Sequence, residues 1–437
     1  MFASILLVLL LAVLYIVKAS QKTGVFNVTK KVSIQNRNGR FSFYRDGLPF
    51  LVQGGVGTTH IKELAECGGN TLTCWDTANL NTTLQEACRY NISVIIGLDI
   101  PDRRNVDFYN DPKKTGDLLN AYRMILTRYR DHPSVLAYCL GNELEFQFSL
   151  TGTPFYKTYQ QLLDMIKRMD PQHPVATSVI NVSKKNILNI QWHVSGLDFI
   201  CINTYNGLKT LTKDLKSVKL FWKGPYLISE WAPNGGWEAD VTAWNSPVEN
   251  TSTKKAEQFY QFYKSYMPFA DTRFLGSMAF YWGNRQEYTN TWYSLFSEDG
   301  KASEVTEVLY DCWKDTITHH RSPRISYMLV DSLGSLDNII LTARSTHAAS
   351  ILMPQDQAMD SLYYSWQILK EDWPNWGKTW NNFKKPSLVP HLISDSTQRL
   401  IDFAAPANEG LYRIFVTVYN SKGYYATANT PVYVIEK

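Results

Sequence analysis

The sequence predicts an α/β chain, with a (β/α)₈ TIM barrel followed by a small all-β sandwich. Three observations lead there. Eight short apolar runs alternate with amphipathic stretches such as 117–129 and 156–169. The runs lie near 50–54, 71–75, 93–98, 135–140, 175–179, 199–203, 226–229 and 277–282. They recur about every 32 residues, the spacing of eight units in a barrel of ~250 residues. Beyond the barrel the pattern changes to short strands separated by turn signals.

In chain order, residues 1–17 form one apolar run followed by Lys18-Ala19-Ser20. This reads as a secretory signal over 1–19, with a small residue before the cut. An uncleaved signal anchor is the alternative, because the run is close to the roughly 17 residues of a minimal span. A membrane partner is expected only in that second case. Residues 20–48 read as a β lead-in, 49–318 as the barrel and 319–437 as the β-sandwich, entered through a linker at His319-His320-Arg321-Ser322-Pro323. Strands are expected there at 325–330, 338–343, 362–369, 399–403, 412–419 and 431–435. That region contains no cysteine, so no disulfide spans its sheets.

Composition narrows the function. A net charge of +4 over 437 residues, with no long basic run, excludes a nucleic-acid partner. Export agrees with five Asn-X-Ser/Thr patterns, at Asn27, Asn81, Asn91, Asn181 and Asn250. The six cysteines allow disulfides, but Cys139 and Cys201 lie within apolar strands and read as buried free thiols. No spacing matches a metal site, and no cofactor motif is present. The 13 Trp and 26 Tyr are many, and several Trp fall in loops, where their rings can stack on sugar faces.

Two glutamates carry the chemistry. Glu143 follows the fourth run, in Gly141-Asn142-Glu143, and Glu230 follows the seventh, in Ser229-Glu230-Trp231. A carboxylate at the C-terminal end of a buried parallel strand is poorly placed for packing and well placed for catalysis. Gly-Asn-Glu alone also suits the first turn of a helix. With Glu230 about three units later on the same rim, the pair instead suggests the two carboxylates of glycoside hydrolysis.

Further motifs are Asn203-Thr204-Tyr205 after the sixth run and Phe280-Tyr281-Trp282-Gly283 at the eighth. Gly68-Gly69-Asn70-Thr71-Leu72 and Asp131-His132-Pro133-Ser134-Val135 lead into the second and fourth. Together these residues resemble the barrel of clan A retaining glycoside hydrolases, most closely the glycoside hydrolase family 2 type, over roughly 49–313. The terminal segment resembles immunoglobulin-like or PKD-like modules, most specifically at 360–366. The resemblance implies a secreted retaining β-glycosidase acting on an oligosaccharide or polysaccharide. Glu143 would be the acid/base and Glu230 the nucleophile. Asn142 would meet the sugar 2-hydroxyl, and Tyr205 would orient Glu230. Trp282 would form the floor of the sugar site or pack in the core. Trp75, Asp76 and Trp231 would bind substrate nearby.

Other residues carry weaker expectations. At least one of the loop tryptophans Trp231, Trp237, Trp244 and Trp292 should line the cleft. Asp99 could bind a hydroxyl. Glu145, Glu238 and Glu287 read as solvent or supporting acids, and His60 and His193 as structural.

One position departs from the family pattern. The arginine that follows the Gly-Asn pair on strand two and positions the nucleophile is here Thr73. The departure removes a permanent positive charge. It keeps open a carbohydrate-binding or adhesion protein on a catalytically degenerate barrel. A transglycosidase, with a sugar acceptor in place of water, is the neighbouring enzyme reading.

Overall fold

A computed structural model describes residues 32–149, 152–355, 362–371 and 386–436. The expected signal, the Asn27 pattern and the start of the 360–366 motif lie outside the described residues.

The chain enters through three antiparallel strands, Val32–Arg37, Arg40–Arg45 and Leu48–Phe50. Asn38-Gly39 and Asp46-Gly47 link them with positive φ at both residues of each pair, the geometry of two-residue hairpin turns. Phe43 is fully buried and meets Phe199 edge-on, at the N-terminal end of a barrel strand. The lead-in therefore packs at the end of the barrel opposite the site described below.

Eight parallel strands close the barrel. In chain order they are Val52–Val56, Thr71–Cys74, Ser93–Leu98, Val135–Leu140, Val175–Ile180, Phe199–Asn203, Tyr226–Trp231 and Phe274–Ala279. Strand four and strand seven are buried at every position, as expected where helices cover the outside and side chains fill the inside. Two expected strands are displaced. The first begins at Val52 and the eighth ends at Ala279, three residues before Trp282. Continuous apolar runs fix that a strand exists but leave its ends loose.

The helices begin where capping chemistry allows. Asp111 accepts from Lys113 N and Lys114 N, ahead of Pro112. Thr153 accepts from Tyr156 N, ahead of Pro154. These caps, with proline at the first helical position, start both helices earlier than apolar periodicity suggests. Among the described residues, no helix is long and apolar enough to cross a membrane.

The C-terminal region forms two sheets. One contains Leu362–Lys370, Gly410–Asn420 and Tyr424–Ile435, with Ile340–Thr342 on the far edge. The other contains Tyr327–Val330, Thr346–Leu352 and Leu400–Ala404. A core including Ile325, Trp366, Ile414 and Val434 is buried in this region. The strand Thr346–Leu352 is not expected from sequence, because His, Ala and Ser dilute its β signal. The barrel segment Ala302–Ser303 adds to the first sheet beside Tyr424 and Tyr425. Residues 319–323, expected as a linker, are held to the last barrel helix, Glu304–Lys314. His320 contacts Glu304 and Asp311, and Ser322 Oγ donates to Glu307 at 2.7 Å.

Candidate active site

Strand four delivers Glu143. After Leu140 the chain turns through Gly141 at φ 79° and Glu143 itself at φ 52°. A Cβ on Gly141 would lie 2.3 Å from Leu144 Cδ1, so glycine is required at this turn. Asp99, after strand three, accepts the backbone N–H of Asn142 and steadies the turn. Glu143 is half-buried, and its Oε1 accepts from Asn203 Nδ2 at 3.0 Å. The same nitrogen donates to Asn142 Oδ1 at 3.2 Å.

Strand seven delivers Glu230. Its register against strand six slips between Ile228 and Glu230, which pairs Glu230 with Asn203. Glu230 therefore sits within the strand, one residue before its end. Side chains alternate along a strand, so Glu230 and Trp231 point to opposite sides. Trp231 is fully buried against Phe259 and Tyr263 of the helix Ser252–Tyr266. This corrects the expectation that Trp231 binds substrate. Ser229 Oγ donates to Asn203 Oδ1 at 2.7 Å, so the Asn203 side chain is held at both ends. Tyr205 Oη lies 3.5 Å from Glu230 Oε2.

The two carboxyls have different surroundings. Burial raises the pKa of Glu143, the Asn203 hydrogen bond lowers it, and the charge of Glu287 raises it; the net direction is up. Burial pushes Glu230 well above the usual carboxylate range, and the charge of Glu143 adds to this. Arg285 pulls it down, Glu287 raises it, and the contact with Tyr205 lowers it again.

Aromatic rings line the same mouth. Tyr205 meets Trp237 edge-on at 5.1 Å, Phe280 at 6.0 Å and Tyr293 at 5.7 Å. Trp237 is 59% exposed, which makes it the loop tryptophan open to a sugar face. Trp292 is buried against Tyr288 and Tyr293, and Trp244 packs on Tyr433 of the β region.

The structure corrects the expected role of Trp282 at the sugar site. Trp282 lies beyond strand eight, is 1% exposed, packs on Phe296 and Trp313, and donates to His60 O. It belongs to the core, and Phe280 is the ring beside Tyr205. Trp75 is half-buried over Gly97, where a Cβ would meet its ring at 2.1 Å. Asp76 is exposed and gives its oxygens to Ala78 N, Asn79 N and Asn79 Nδ2, closing its own turn. Glu287 is no solvated loop acid: it pairs with Arg285 and is 15% exposed.

The remaining candidates are supporting or structural. Glu238 accepts from Asn206 N and Gly235 N, joining two rim loops. Glu145 pairs with Arg103 at 2.7 Å. His60 stacks on Phe296 and His193 on Tyr156. Asn203 and Arg285 are the site residues to which the sequence reading gave no role. Asn203 stood in a quoted motif, but Arg285 occupies a loop with no strand pattern. A cavity of about 850 Å³ lies elsewhere, lined by Tyr109, Lys157 and His193 among others, and contains neither glutamate.

Comparison with known proteins agrees with this architecture. No curated protein sequence matches the chain. Residues 64–293 match the family model described as "Glycosyl hydrolases family 2, TIM barrel domain". Among solved structures, the chain is similar to a β-D-glucuronidase of Dictyoglomus thermophilum, at 16% identity and a TM-score of 0.50. That match covers 67% of this chain and 55% of the other. A family 2 β-galacturonidase of Eisenbergiella tayi, bound to galacturonate, gives 13% identity, a TM-score of 0.51 and the same two coverages. An endo-β-1,4-mannanase of Thermotoga petrophila covers 90% of this chain and 99% of its own, at 13% identity and a TM-score of 0.44. The chain thus spans about half the length of the two uronidases and nearly all of the mannanase. Because the family model takes in more than half of the sequence, the chain belongs to glycosyl hydrolase family 2, a family of glycoside hydrolases, through its TIM barrel domain.

Proposed function

We propose that this protein is a retaining β-glycosidase that cleaves O-glycosidic bonds by double displacement. The observation that carries this reading is the pairing at one barrel mouth: Glu143 held by Asn203, and Glu230 approached by Tyr205. Glu230 attacks the anomeric carbon as its carboxylate while Glu143 gives its proton to the departing oxygen. The glycosidic C–O bond breaks and a glycosyl ester forms on Glu230. Glu143, now ionised, takes a proton from water as the water oxygen attacks the anomeric carbon, and Glu230 leaves as its carboxylate. Burial of Glu143 supports a protonated acid at the start of the cycle. Asn142, beside it, is placed to meet the sugar 2-hydroxyl, and Trp237 offers an exposed ring to a further sugar.

A binding protein on a degenerate barrel is the second reading, favoured by Thr73. A mechanism-based 2-fluoro sugar separates the two. Covalent labelling of the peptide that carries Glu230 is the expected result. Binding of several sugars with no label would remove the enzyme reading. Added acceptor sugars in the same assay tell hydrolysis from transglycosylation by product.

Export is part of the proposal. The exposed positions of Asn81 and Asn91 suit glycan attachment, whereas Asn250 is half-buried and donates to Gln258. All six cysteines are free thiols, five of them buried. A mobility shift on enzymatic deglycosylation of the protein in culture medium is expected. A protein retained inside the cell without glycan would overturn this part.

A further inference from the structure

We propose that Arg285 is the positioning residue of Glu230, a guanidinium that the strand-eight loop brings to the mouth where strand two presents only Thr73. The proposal rests on the reading of Glu230 as nucleophile.

Strand two brings no charge to the site. Thr71–Cys74 is buried throughout, and the buried hydroxyl of Thr73 has no hydrogen-bond partner among the described residues. The cation comes from the other side of the mouth. The Arg285 guanidinium lies 5.4 Å from the centre of the Phe280 ring and 5.5 Å from that of Tyr281. Phe280 N donates to Trp231 O at 2.9 Å, which sets Phe280 beside the end of strand seven. Phe280 in turn meets Tyr205, whose hydroxyl reaches Glu230.

The groups that act on Glu230 are Glu143 from strand four, Glu287 and Arg285 from the strand-eight loop, and Tyr205 from the strand-six loop. The buried Cys139 thiol of strand four lies near enough to feel its charge. Arg285 is the cation of this set. Arginine stays charged at any working pH. Glu287 pairs with Arg285 and limits its swing.

The loop is built to hold this position. Arg285 N donates to Ser294 Oγ at 2.9 Å, and Tyr425 of the β region donates to Ser294 O at 3.1 Å. Thr289 and Thr291 both donate to the buried Glu249, as does Asn429 of the β region. The C-terminal region therefore holds in place the loop that carries the charge. With Glu143 protonated and its charge gone, Arg285 works against burial and favours the Glu230 carboxylate that attacks. Once Glu230 is an ester its charge is gone, and Glu143 can ionise and act as base.

The test compares Arg285→Gln and Arg285→Lys with wild type. The Glu230 carboxyl is titrated by its infrared stretch, assigned by subtracting the Glu230→Gln spectrum. The pH profile of kcat/KM is measured on an aryl glycoside. Arg285→Gln should move the Glu230 titration and the acid limb of the profile up by about one pH unit, a roughly tenfold change in ionisation. It should lower kcat more than it raises KM, and Arg285→Lys should recover most of the loss. An unmoved Glu230 titration in folded Arg285→Gln overturns the proposal. So does a loss confined to KM for acidic sugars, which would make Arg285 a substrate ligand. The infrared arm needs no turnover. An inactive, unlabelled wild type whose Glu230 titration still answers to Arg285 therefore overturns the glycosidase reading and not the charge coupling.

Discussion

The side-chain amide of Asn203 donates to Glu143 Oε1 at 3.0 Å, while its own oxygen accepts from Ser229, the residue before Glu230. One residue on strand six thus ties the rotamer of Glu143 to the strand that carries Glu230. Its hydrogen bond lowers the pKa of Glu143 against burial. Asn203→Ala should raise that pKa and move the alkaline limb of the pH–rate profile upward. Turnover should fall about tenfold or more from lost orientation. A profile unchanged at both limbs would remove Asn203 from the site.

Glu230→Gln should lower turnover by about 10⁴-fold or more, since the amide keeps size and has no nucleophilic carboxylate. Circular dichroism and melting should stay near wild type, because the amide suits a buried site at least as well as a charge does. Substantial activity on an activated aryl glycoside in this variant would refute the nucleophile assignment.

Glu143→Ala should spare substrates with good leaving groups and cost natural glycosides about 10²–10⁴-fold. A nitrophenolate leaves without a proton, and a sugar alkoxide does not. Azide should restore part of the rate and give a glycosyl azide of retained configuration. Equal losses on both substrates, without rescue, would take the acid role from Glu143.

Asn429→Ala tests the hold of the β region on the strand-eight loop. Asn429 Nδ2 donates to Glu249 at 2.6 Å, and its oxygen accepts from the buried Arg413. Burial opposes the charge of Glu249, and Lys255 and Thr289 outweigh that burial and keep its pKa low. Removing Asn429 leaves these groups short of partners, at about 1–3 kcal/mol of stability. Urea unfolding measures that loss. Turnover should fall below the level that unfolding explains, because Arg285 shares the loop. A stability loss with full specific activity would separate the two regions functionally.

His320 should make stability depend on pH. Its hydrogen bond with Glu304, then burial, then Asp311 set its pKa, and the net effect is a rise to about 9. A pKa raised on folding stabilises the folded state fully below the unfolded value near 6.5. That contribution is lost as pH rises toward about 9. His320→Gln should therefore lower stability at pH 6 by about 1–2 kcal/mol, and the gap should close by about pH 9–10. Melting curves at several pH values check this, and a gap independent of pH would rule it out.

The sequence by itself determined the barrel and the two glutamates. Eight buried strands spaced for crossover helices leave few other topologies, and an acid at the end of such a strand has few structural uses. It also placed Asn142 and Tyr205 near the two glutamates, because each adjoins a strand end whose direction is fixed. Tertiary structure decided everything that depends on a side chain's facing. Trp231 and Glu230 are neighbours in sequence, and a period of two sends one to the helices and the other to the mouth. Trp282 looks like a strand-end ring until strand eight ends three residues earlier and leaves it in the core. Arg285 was illegible for a different reason. The strand-eight loop has no periodicity, and its shape is set by Glu249, Asn429 and Tyr425, two of them more than 130 residues away. Sequence order holds no record of such contacts, so the charge that Thr73 does not supply becomes visible only once the chain is folded.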